Sequence, residues 1–92
     1  MVESVFAILV YDVNESRVNK VNSVCSKYLI WRQNSVFTGK ISLSKISLLK
    51  EELKATINPA EDYILIFIFP SNVKFKTEEI GIRRYCDVNI VW

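Results

Sequence analysis

Residues 5–11 and 63–69 are apolar at every position, and each run is closed by turn formers: Asp12 and Asn14 after the first, Pro70, Ser71 and Asn72 after the second. Short runs of this kind, rich in β-branched and aromatic side chains, predict buried strands. Between them the period lengthens. Val18, Val21, Cys25 and Tyr28 recur at steps of three, four and three, with Val24 and Leu29 beside them, which predicts a helix with one inner face, capped by Asn14. Its Val, Asn and Ser content gives low helix propensity, so packing must hold it in place. Ser42 caps a second predicted helix with Leu43, Ile46, Leu49, Leu53 and Ile57 inward, and Asn58 with Pro59 ends it. Residues 30–41 are β-branched and aromatic but broken at Asn34, Ser35 and Gly39, which predicts two strands in a tight or bulged hairpin. Val73, Phe75 and Thr77 alternate with Lys74 and Lys76 as in an edge strand with its lysines in water, and residues 88–92 predict one more short strand.

The order β, α, β, β, α, β predicts an α+β fold of the ferredoxin-like type: a four-stranded antiparallel sheet with both helices on one face, joined by a C-terminal strand. A chain of 92 residues makes a single domain, 1–92. Two helices cover only one face of a sheet, yet the two apolar runs present hydrophobic side chains to both. The simplest cover for the second face is the same surface of another copy about a two-fold axis, with the tail adding a strand to the neighbour's sheet. A homodimer is therefore expected.

Half of the residues are apolar and 24% are charged, a globular composition. Histidine is absent, which removes Ser-His-Asp and Cys-His nucleophile activation, imidazole acid-base chemistry and every zinc site that uses His. The two cysteines, Cys25 and Cys86, form no CxxC and are expected to be reduced structural thiols. A net charge of +2 is too mild to indicate nucleic-acid binding by itself, so placement decides. Arg17, Lys20 and Lys27 fall within about 80° on a helical wheel, a basic stripe that reads either as a solvated face or as a track for a phosphate backbone. No apolar run approaches the roughly 20 residues of a spanning helix. Glu3 precedes the first run where a secretory signal would carry basic residues, so no membrane partner and a cytoplasmic location are expected.

Tyr11-Asp12-Val13 at the first strand end, Arg17 and Lys20 early in the helix, then YLIWRQNSVFTGKIS over 28–42 and EIGIRRYCDVNIVW over 79–92 together resemble the small CRISPR-associated protein Cas-two family. The likeness runs from residue 5 to 92, and QNSVF-x-G is its most specific element. It implies a ferredoxin-like homodimer in the adaptation (spacer acquisition) machinery of antiviral defence, partnering the CRISPR integrase subunit and helping to hold spacer DNA. Several members are described as magnesium-dependent endonucleases acting on RNA or duplex DNA, and others act as scaffolds. Asp12 falls on the family's metal-associated, catalytic aspartate, with Mg2+ or Mn2+ as the implied ion. Arg17, Ser35 and Phe37 fall on motif positions tied to nuclease action. Arg32 carries over as a basic nucleic-acid-binding residue, one position after the place some relatives keep theirs, here Trp31.

Beside the resemblance, the residues have readings of their own. A carboxylate where a strand leaves the sheet is ordinarily a turn former. Magnesium, however, needs only one or two carboxylates beside water and phosphate, and a two-fold axis could bring a second Asp12. Such an ion lowers the pKa of bound water and so supplies a nucleophile without histidine. Tyr11 points to the face opposite Asp12 and reads as packing. Asn34 and Ser35 serve the hairpin turn, Phe37 and Trp31 suit core or dimer packing better than base stacking, and Glu51, Glu52, Glu78 and Glu79 read as surface charge. The rival function is a freestanding RNA-binding module without catalysis, although the aromatic signature expected on its sheet is missing.

Overall fold

The computed structural model describes residues 3–74 and 76–82. Its elements are β1 (Ser4–Asp12), α1 (Glu15–Ser26), β2 (Ile30–Gln33), β3 (Val36–Ser42), α2 (Leu43–Thr56) and β4 (Tyr63–Pro70). They form one antiparallel sheet in the order β2-β3-β1-β4, the arrangement expected of a ferredoxin-like α+β fold. β1 lies between β3 and β4, while β4, equally apolar over 63–69, ends the strand order among the described residues.

The caps act locally as the sequence predicts. Asn14 Oδ1 accepts the Ser16 amide at 2.9 Å, and Ser42 Oγ accepts the Lys45 amide at 3.2 Å, each satisfying a donor that the helix start leaves unpaired. α2 stops at Thr56, before Asn58 and Pro59. The core lies between the helices and one face of the sheet. Val5, Ala7, Leu9 and Tyr11 of β1 and Phe37 and Ile41 of β3 meet Val21 and Cys25 of α1, Leu29, and Ile46, Leu49 and Leu53 of α2. Leu43 departs from the expected inner face and is exposed, because it opens the helix next to its cap, where the first turn has not yet come over the sheet.

The register sorts the opposite face. Phe6 pairs with Phe69 and Lys40, Ile8 with Phe67 and Thr38, and Val10 with Leu65 and Val36, while Ile30 pairs with Thr38. Successive side chains alternate, so these groups all stand on the side away from the core. Among the described residues no helix covers them, and Phe67 is 46% and Leu65 38% exposed. The two-sided apolar character of the strands is therefore real: Ile64 and Ile66 pack on the core while their neighbours face outward.

One expected element is absent. Among its described residues, the 73–77 stretch forms no strand: the Val73 amide closes a turn on the Pro70 carbonyl at 3.1 Å, and Val73 and Lys74 are exposed. An alternating pattern forms a strand only against a neighbouring edge, and this turn gives it none. Phe75 and the strand expected over 88–92 lie outside the described residues.

Candidate functional site

Asp12 ends β1, one residue past Tyr11. Tyr11 is buried on the core side, its hydroxyl donating to Asn22 Oδ1, so alternation sets Asp12 on the open face beyond Val10. Asp12 is exposed, and its side chain makes no hydrogen bond or ion pair with the described residues. Across the β1–β4 pair its partner is Tyr63, 61% exposed. Directly opposed residues hold their Cβ atoms about 4.5–5.5 Å apart, so carboxylate and phenol share one patch. The hairpin turn abuts the same strand end, because the Tyr11 amide donates to the Ser35 carbonyl at 3.2 Å. Asn34 supports that turn with a left-handed φ of 41°, a conformation that Asn tolerates. Asp12 and Tyr63 thus stand together at one end of the uncovered apolar face, while Ser35, paired with Tyr11 through the backbone and two residues before buried Phe37, borders that end from the core side.

The described residues contain no group of three or more Cys, Asp or Glu side chains able to hold a metal. Asp12 offers one unengaged carboxylate. That suits an ion that completes its octahedron with water and phosphate oxygens, and it does not suit a closed protein cage.

The predicted basic residues are divided. Arg17 is turned onto carboxylates: its Nε lies 2.6 Å from Asp62 Oδ2, and its Nη2 lies 3.1 Å from Asp62 Oδ1 and 2.8 Å from Glu61 Oε1. Lys27 caps the end of α1 and pairs with Glu52, which also accepts from the Tyr28 hydroxyl. Glu52 is therefore a link from α2 to the end of α1, where the sequence suggested free surface charge. The Lys27 ammonium and the Tyr28 hydroxyl hold the Glu52 carboxyl below its ordinary range. Lys20 is exposed and pairs with no carboxylate among the described residues. Arg32 sits at the bulge between Trp31 and Gln33, its Nη2 4.0 Å from Glu79. Phe37 is fully buried, and the Trp31 indole donates to the Asn34 carbonyl at 2.9 Å beside it, so both rings pack the hairpin onto the core.

Asp62 is the residue the sequence reading missed. Its side chain is fully buried beside Arg17, and each oxygen also accepts a backbone N–H, Asn14 on Oδ1 and Asn58 on Oδ2, both at 2.9 Å. Hydrogen bonds from Arg17, then from the Asn58 and Asn14 amides, hold the carboxyl well below the usual range against the opposing effect of burial. A signal was available. A cation in the first turn of a helix opposes the macrodipole, so Arg17 there calls for a dedicated carboxylate.

Residues 5–77 match the family model described as CRISPR associated protein Cas2. The CRISPR-associated endoribonuclease Cas2 of Methanocaldococcus jannaschii is 42% identical over 82 residues, covering 89% of this chain and 72% of its own. That of Dictyoglomus turgidum is 39% identical over 79 residues, covering 86% and 91%. A solved crystal structure of cas2 superposes with a TM-score of 0.77 at 40% identity, over 88% of this chain and 91% of that one. Streptococcus pyogenes Cas2 superposes with a TM-score of 0.72 at 26% identity, over 83% and 99%. The ferredoxin-like sheet and this breadth of similarity agree, and the chain belongs to the CRISPR-associated Cas2 family.

Proposed function

We propose that this chain works as a homodimer that binds nucleic acid in CRISPR adaptation, in the cytoplasm, beside the CRISPR integrase. In this reading it cleaves phosphodiester bonds of RNA or duplex DNA with Mg2+ or Mn2+ held at Asp12. The name endoribonuclease borne by its relatives supports the chemistry. The observation that carries the reading is the position of an exposed, unengaged Asp12 at the end of an apolar sheet face that no described element covers. A second copy seated on that face buries Leu65, Phe67 and Ile30 and adds its own Asp12, giving the two carboxylates that magnesium commonly uses. A bound ion would polarise a phosphoryl oxygen and lower the pKa of a water. The chain's own residues do the rest: Asp12 supplies the anionic ligand, and Tyr63 offers a phenol beside it. Lys20 and Arg32 provide positive charge for a backbone that is read with little regard to sequence. No helix among the described residues is long and apolar enough to cross a membrane.

The test compares wild type and Asp12→Ala on RNA and on duplex DNA, with magnesium, manganese or EDTA. Metal-dependent cleavage by wild type that falls at least about a hundredfold in the variant is expected, the scale of losing a metal ligand or its close support. Equal cleavage by both proteins would place the chemistry elsewhere. Binding without any cleavage would leave a scaffold.

A further inference from the structure

We infer that Arg17 and Asp62 form a clasp that positions the Asp12 strand end, and that Arg17 acts through this clasp without touching nucleic acid. The inference deepens the reading of Asp12 as a metal ligand and rests on it.

The geometry converges on one buried carboxylate. Asp62 Oδ1 accepts the Asn14 amide at 2.9 Å and Arg17 Nη2 at 3.1 Å, while Oδ2 accepts the Asn58 amide at 2.9 Å and Arg17 Nε at 2.6 Å. Glu61 adds a rim: Oε1 takes Arg17 Nη2 at 2.8 Å and Asn14 Nδ2 at 3.4 Å. Asn14 follows Asp12 by two residues and caps α1, so Asp62 fixes the backbone just downstream of Asp12. Asp62 also immediately precedes Tyr63, the residue paired with Asp12 across the sheet. One side chain therefore ties down both strands at the point where the proposed site stands.

The same contacts argue against a phosphate role for Arg17. Turning its fork toward a backbone phosphate would strip a fully buried carboxylate of its cation, and an unpaired buried charge is strongly disfavoured. Lys20, exposed one turn along the same helix, can take a phosphate without that loss. Arg17 and Asp62 are accordingly positioning residues, acting on Asp12 through the Asn14 loop.

The test uses the full chain, isotopically labelled, as wild type, Arg17→Gln, Asp62→Asn, the double variant and Lys20→Gln. Three quantities are read by NMR: hydrogen exchange at the Asn14 amide, the Asp12 side-chain carboxyl shift, and Mn2+-induced broadening of Asp12. Arg17→Gln and Asp62→Asn should each speed Asn14 exchange about tenfold, the scale of one charge-assisted hydrogen bond. Each should move the Asp12 resonance and raise the half-saturating Mn2+ concentration by a similar factor. The double variant should do no more than either single change, and Lys20→Gln should alter none of the three. Arg17→Lys, which keeps the charge without the fork, should fall between, and it serves if Arg17→Gln does not fold. Asn14 exchange and an Asp12 resonance at wild-type values in Arg17→Gln would overturn the clasp. So would a loss in that variant of about one unit in the salt slope of duplex binding, which marks a phosphate contact. If Mn2+ leaves Asp12 of the wild type unbroadened, the metal reading fails, while the exchange and shift data still decide the clasp.

Discussion

Phe37 shows how far a single residue can be read. Its place in the most specific motif invites a role at a reacting centre, yet the ring is wholly enclosed, stacked at 6.4 Å on Tyr11, which lies on the same core face. Its chemistry is that of a large core side chain. Phe37→Ala should cost about 3–5 kcal/mol, read from urea unfolding at matched protein concentration. A cost below about 1 kcal/mol would mean that the hairpin does not rest on it. Cys25 is similar: burial pushes its thiol up to about 12, so almost no thiolate exists near neutrality. Iodoacetamide at pH 8 should leave Cys25 unmodified in the native protein and alkylate it after unfolding, as peptide mapping by mass spectrometry would show; rapid native alkylation would contradict this. Both assignments were open to sequence reasoning because apolar periodicity reports burial directly. Asp62 was legible only in part: Arg17 in the first turn calls for a carboxylate, but the partner stands 45 positions away and no periodic pattern names it.

At the scale of elements, what was legible was local. Asn14 and Ser42 were recognisable as caps because a cap and the amide it satisfies lie within three residues of each other. The alternation over 73–77 misled because a strand needs an edge to pair with, and whether an edge lies beyond the local turn from Pro70 to Val73 is a tertiary matter that alternation does not record. The link between the loop after β1 and the turn before β4 has a pH signature. A carboxyl held below its ordinary value stabilises the folded state at every pH above the unfolded-state value, near 3.9, and that contribution fades as the pH falls below it. Wild type should therefore hold a level urea midpoint near neutrality and lose stability progressively below about pH 4. Asp62→Asn should start from a lower midpoint and show a shallower acid limb. Parallel acid limbs for the two proteins would show that Asp62 does not carry the effect.

For the whole molecule, the decisive feature was in the sequence from the start. β1 and β4 are apolar at consecutive positions, and the sheet turns that excess into a second hydrophobic face with Phe67 and Leu65 partly bare and Asp12 at its end. Contiguous exposed apolar surface on so small a protein marks a place where another surface sits. In the proposed homodimer a second copy of the chain would cover that face with the chemistry already present and would bring paired aspartates and lysines to one assembly. Light scattering coupled to size exclusion tests this most directly, with wild type beside Phe67→Glu, a change confined to the outward face. The wild type should elute at twice the 10.7 kDa chain mass at micromolar concentration, and Phe67→Glu should run at the chain mass with its helical circular dichroism retained. A wild-type protein of 10.7 kDa under those conditions would contradict the account, leaving Asp12 without its twin.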